Sequence, residues 1–164
     1  MTKHKIVYRM NYNLFLDDER DPEKVSWVRL PNMPPKYGDD FDAEEPKWVV
    51  ARDYTEFVRL ITDYGLPVNI SFDHDLSDAA YMEFDRARNF NVPIKYSNIP
   101  EKTGYDCAKW LVEYCRKNKL PLPNYTIHSF NPIGAKNIKS ILDSYSKHYE
   151  KTRTNGSNRS SSLW

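Results

Sequence analysis

The chain has 164 residues, enough for one domain with a core of its own. Its 24 Lys and Arg against 23 Asp and Glu leave a net charge of +1, so no overall field recruits nucleic acid and any preference for phosphate has to be local. No apolar run approaches the roughly 20 residues that span a bilayer, and Met1-Thr2-Lys3-His4-Lys5 lacks the apolar core of a signal peptide. These features predict a soluble, cytoplasmic protein with no membrane partner.

In chain order, Asn13-Leu14-Phe15-Leu16 reads as a short buried strand that runs into Asp17-Asp18-Glu19-Arg20. Residues 19–46 carry Pro22, Pro31, Pro34, Pro35 and Pro46 and an acidic run from Asp39 to Glu45. No helical period survives those prolines, which predicts a long loop. A second strand is expected at 47–51. Asp53 as N-cap with Glu56 three residues on then opens a helix with Phe57, Leu60, Ile61 and Tyr64 on one face, ended by Gly65.

A third strand, 69–73, leads into Asp73-His74-Asp75 and a long segment, 77–103, with a short helix near Asp78 to Arg88. Thr103 with Asp106 starts another helix, whose stripe is Ala108, Leu111, Val112 and Cys115 and whose end is Arg116, Lys117 and Lys119. That basic end suits the negative pole of the helix and needs no ligand. Cys107 and Cys115 share this helix about 12 Å apart along its axis, too far for a mutual disulfide, and read as reduced core residues.

The fourth strand, 125–129, ends in His128-Ser129 and is followed by Asn131-Pro132, an N-cap with proline at the first helical position. Ile138, Ile141, Leu142 and Tyr145 form the stripe of that last helix, and 151–164 read as a disordered tail on one α/β domain, 1–150. This order of elements calls for a parallel sheet with right-handed crossovers.

Three strands thus end in acid or histidine, at the sheet edge where α/β proteins keep their ligands. Asp17, Asp18, Asp73 and Asp75 make a hard oxygen site suited to Mg²⁺ or Mn²⁺, although Asp17 or Asp18 could equally cap a turn before Asp21-Pro22. Asp73 is the first choice for the central carboxylate. His74 and His128 are candidate proton carriers, and Ser129, Asn131, Gly134 and Lys136 surround a helix start that could hold an anion. Asp53 and Asp106 are read as caps, and Arg20 and Lys102 as solvated charges. There is no G-x-S-x-G elbow and no zinc pattern.

With the motifs in order, the chain resembles a receiver-type Rossmannoid domain, and most closely the cyclic-phosphate-processing receiver-like branch. The resemblance is carried by Leu16 to Arg20, Ser71 to Leu76, Thr103-Gly104-Tyr105-Asp106 and His128 to Pro132, across roughly 13–148. It implies a three-layer receiver-like α/β fold with a parallel sheet of about four strands and flanking helices, truncated relative to ordinary receivers. It also implies processing of cyclic or terminal phosphates on nucleotides or RNA ends.

The expected activity is that of a metal-assisted phosphoesterase. Asp17, Asp18 and Asp73, with Asp75, would hold the ion, His74 and His128 would move protons, and Ser129 with the helix start would bind phosphate. The alternative is a non-catalytic phosphate- or nucleotide-binding module. No fifth strand with a lysine follows the last helix in the sequence pattern and a proline-rich loop replaces the helix after the first strand, so a phospho-accepting receiver ranks last; no DNA-specific motif is present.

Overall fold

The structure, a computed structural model, describes residues 11–25 and 46–157. Its elements are β1 (Tyr12–Leu16), β2 (Lys47–Ala51), α1 (Tyr54–Tyr64), β3 (Asn69–Phe72), α2 (Asp78–Phe90), a short 3₁₀ turn (Tyr96–Asn98), α3 (Gly104–Asn118), β4 (Asn124–Ile127) and α4 (Pro132–Ser157). Most of the loop expected at 19–46 lies outside the described residues, as do 158–164. The end of the domain differs from expectation. Residues 151–157 continue α4 instead of beginning a disordered tail. No proline interrupts the helix there, and Thr154 Oγ1 bonds back to the carbonyls of Glu150 and Lys151.

The four strands are all parallel, in the order β2-β1-β3-β4. With four flanking helices this is a receiver-like α/β fold. Parallel register aligns Leu14 with Ile70 and Leu16 with Phe72, and period-two alternation sends these side chains to one face. There they form the main core with Phe57 and Ile61 of α1, Cys107 and Leu111 of α3, and Ile138 and Leu142 of α4. Each such side chain contributes about 1.5–3 kcal/mol when fully buried.

The other face of β1 and β3 carries Asn13, Phe15, Asn69 and Ser71, all buried. Its polar groups are satisfied in place: Asn69 Nδ2 donates to Asn13 Oδ1 at 2.8 Å, and Asn13 Nδ2 donates to the Pro46 carbonyl at 2.8 Å. Among the described residues, no helix is long and apolar enough to cross a membrane.

The caps foreseen at Asp53 and Asp106 form. Asp53 Oδ1 accepts the Glu56 N–H at 2.8 Å, and Asp106 Oδ2 accepts the Thr103 N–H at 2.9 Å. The segment after β3 is more ordered than its polar composition suggests. Ala80 and Ala87 of α2 pack with Ile94 and Ile99 in a second small cluster. Glu83 ties the same pieces together, accepting from Arg86, from the Lys95 N–H at 2.7 Å and from Asn98 Nδ2 at 2.9 Å.

These bonds, that to Arg86 foremost, hold the Glu83 carboxyl down at about 2. A carboxylate depressed by folding stabilises above its unfolded pKa and loses that contribution as pH falls through its folded one. Glu83→Gln is therefore expected to lower the melting temperature at neutral pH, and the gap from wild type should close as pH falls from about 4.5 towards 2. Paired thermal melts across that range check this.

Candidate functional site

The ladder continues one residue past each strand. The Asp17 N–H donates to the Ala51 carbonyl, the Asp73 N–H to Leu16 and the His128 N–H to Phe72. Asp17, Asp73 and His128 therefore sit side by side just beyond the carboxyl ends of β1, β3 and β4. By alternation they share the face of Phe15 and Ser71. This is the β1/β3 position where the strand order reverses, the usual ligand crevice of such sheets. A cleft of about 350 Å³ opens there, lined by Asp17, Asp18, Asp73, Asp75 and Ser129, with Tyr81 and Phe84 from α2 along it.

Arg20 joins the two central carboxylates. Its Nε donates to Asp17 Oδ2 at 2.5 Å and its Nη2 to Asp73 Oδ2 at 2.7 Å. The side chain read from sequence as a solvated charge is the cation of the site. Asp17 Oδ1 also accepts the backbone N–H groups of Glu19 at 2.9 Å and Arg20 at 2.6 Å, which curls the chain so that Arg20 returns over the strand ends. Arg52, just past β2, holds that curl from below by donating to the carbonyls of Asp17 and Arg20. The turn role considered for Asp17 and its role in the site are thus one arrangement.

Burial alone would raise the Asp17 carboxyl, but the His128 contact, the two backbone donors and the Arg20 charge outweigh it and bring it down to about 2. Asp73 is raised by burial, with Arg20 and His128 working against the rise. Asp18 is pushed up to about 6 by burial and by the nearby charges of Asp73, Asp17 and Glu19.

His128 stacks flat on Phe15, centroids 4.5 Å apart. Its Nε2 lies 3.1 Å from Asp17 Oδ2 and its Nδ1 2.7 Å from Ser71 Oγ, which also accepts from Thr126 Oγ1. With a proton on Nε2, His128 donates to Asp17, while Thr126 donates to Ser71. With its side chain only 5% exposed and outside the cleft lining, His128 positions Asp17.

His74 lies on the opposite face and is fully buried. Its Nδ1 is 2.6 Å from Asp75 Oδ1 and its Nε2 3.1 Å from the Tyr96 hydroxyl, which Asn137 Nδ2 meets at 2.9 Å. These contacts, with Asn131 Nδ2 3.1 Å from Nδ1, hold the imidazole in place as a strut.

Two glycines make room for this strut. A Cβ on Gly134 would stand 2.2 Å from the His74 ring, and one on Gly104 would stand 1.8 Å from the Asp73 carbonyl oxygen. Gly134→Ala is expected to cost about 2 kcal/mol through overpacking, read by urea denaturation.

The anion cradle expected at the α4 start is closed by its own cap. Asn131 is buried, its Oδ1 accepts the Gly134 N–H at 2.8 Å, and its Nδ2 donates to Asp75 at 3.1 Å. Lys136 is exposed and does not line the cleft. Of the residues expected to bind phosphate, Ser129 alone reaches it among the described ones.

One oxygen each of Asp17 and Asp73 and one His128 nitrogen lie within 4.8 Å of one another, a set that could bind a metal ion. Asp18 and Asp75 line the cleft without joining that set. Two carboxylate oxygens and an imidazole fit a hard or borderline divalent cation, and Arg20 already occupies Asp17 Oδ2 and Asp73 Oδ2.

A family model described as the cyclic-phosphate processing receiver domain matches residues 12–144. The chain belongs to that family. No curated protein and no solved structure matches it. The family's name links this receiver domain to cyclic-phosphate processing. The match encloses all three strand ends and the α4 start.

Proposed function

We propose that this receiver domain opens or removes cyclic or terminal phosphate esters with the help of Mg²⁺ or Mn²⁺. The observation that carries the reading is the pair Asp17 and Asp73, side by side at the ends of β1 and β3 and bridged by a positive group inside an acidic cleft.

Charge argues for the metal. Asp17, Asp18, Glu19, Asp73, Asp75 and Asp78 line the cleft, and among the described residues Arg20 is its one lining cation. A phosphate ester, anionic whether cyclic or terminal, is repelled by such a surface unless further positive charge enters with it. Asp17 and Asp73 would hold the ion, with His128 beside them, and Arg20 would turn from the carboxylates towards the phosphate. When bound, the ion supplies charge neutralisation at phosphoryl oxygens and lowers the pKa of water.

Ring opening needs one proton taken from the attacking water as the new P–O bond forms, and one given to the oxygen that leaves. The cleft lining includes Asp18 and Asp73 but neither His74 nor His128, so these two carboxyls would carry the transfers. Ser129 is placed to donate a hydrogen bond to a phosphoryl oxygen. A panel of 2′,3′- and 3′,5′-cyclic phosphodiesters, incubated with and without Mg²⁺ or Mn²⁺ and resolved by chromatography, tests the reading. Metal-dependent formation of monoesters is expected. Tight binding with no product would make the domain a binding module instead.

A further inference from the structure

Two aromatic rings on the lip of the cleft are out of place for packing. Phe130, in the turn between β4 and α4, is 82% exposed, and Tyr81, on the first turn of α2, is 61% exposed, yet both line the cleft. Leaving a Phe ring in water forgoes the gain of burying it, and neither ring belongs to the main core or to the cluster beside α2. Phe84, buried behind Tyr81 on the same helix, gives that wall an apolar backing. The Arg20 guanidinium lies over the Phe130 ring, 5.1 Å from its centroid, so the aromatic lip adjoins the cation that bridges Asp17 and Asp73.

A wet, flat π surface beside a phosphate-handling floor is chemically selective. An inorganic phosphate has no flat face to lay on it, whereas a nucleobase does, and base–aromatic stacking is favourable for every base. We infer that Tyr81 and Phe130 form a base-stacking lip, so that the ester taken by this cleft belongs to a nucleoside, free or at a single-stranded chain end. This rests on the phosphoester reading above and assigns to two side chains the base recognition that a nucleotide or RNA-end substrate would need.

The test is equilibrium binding by calorimetry to the full chain with Mg²⁺ present, using adenosine 2′,3′-cyclic phosphate and the 2′,3′-cyclic phosphate of 1-O-methylribose, which has no base. Product formation is followed separately. Wild type is expected to bind the nucleotide about tenfold or more tightly than the base-less ester, equivalent to about 1.4 kcal/mol. Tyr81→Ser and Phe130→Ser should each erase most of that preference and leave the base-less ester unchanged, while Tyr81→Phe and Phe130→Tyr should keep it. Equal affinity of wild type for the two esters, failure to bind the nucleotide, or an equal loss for both in the serine variants would overturn the inference. Base-dependent binding without turnover of either ester would remove the phosphoesterase reading and leave the stacking lip standing; equal binding and turnover of both would do the reverse.

Discussion

Replacing Arg20 with methionine is expected to destabilise the metal-free protein by about 3 kcal/mol, and Mg²⁺ or Mn²⁺ should recover most of that loss. In the wild type one guanidinium neutralises two carboxylates that are 0% and 8% exposed. Methionine keeps much of the volume and removes the charge, leaving Asp17 and Asp73 facing each other with no shared counter-ion. A divalent cation can take that place, so the variant should bind metal more tightly than the wild type, in which metal and guanidinium compete for the same oxygens. Urea denaturation of both proteins with and without millimolar metal reads the effect through the stabilisation that ligand binding to the folded state confers. A stability loss that metal leaves unchanged would contradict the assignment of Arg20 as the resident cation.

The second large effect is expected at Asp73. Asp73→Asn keeps the shape of the side chain and an oxygen able to accept the His74 N–H, a 2.7 Å bond in the wild type that fixes the turn after β3. The fold should survive, with Asp17 Oδ2 still accepting from Arg20. What disappears is a negative charge at the centre of the site, and with it a metal ligand and a proton acceptor. Removing one preorganised electrostatic contact of this kind typically slows turnover by about 100-fold or more, and a loss of that size or larger is expected in the rate of ester opening. His128→Gln acts at one remove, through Asp17, and should cost less.

Much of the site was legible because its residues end strands. Short apolar runs closing in Asp17, Asp73 and His128 name the edge where ligands collect, and parallel pairing then aligns those three positions without further information. The caps at Asp53, Thr103-Asp106 and Asn131 were legible for the same reason: they are local and depend on spacing. What escaped the sequence is non-local. The return of Arg20 depends on Arg52, 32 residues along the chain. The retreat of His74 from the cleft depends on the space left by Gly134 and Gly104 on other elements. Strand alternation puts His74 on the opposite face from Asp73, but alternation alone does not say that this face is closed. Tyr81 and Phe130 lie on separate elements whose meeting at one lip is a fact of tertiary structure.

The most direct test of the central claim follows the ³¹P NMR signal of a cyclic phosphodiester incubated with Mg²⁺ and either wild-type protein or Asp73→Asn, each first shown to be folded. The account predicts that the cyclic signal converts to a monoester with wild type and that conversion is at least about 100-fold slower with Asp73→Asn. An unchanged cyclic signal in the presence of wild type, or equal conversion by the two proteins, would contradict it.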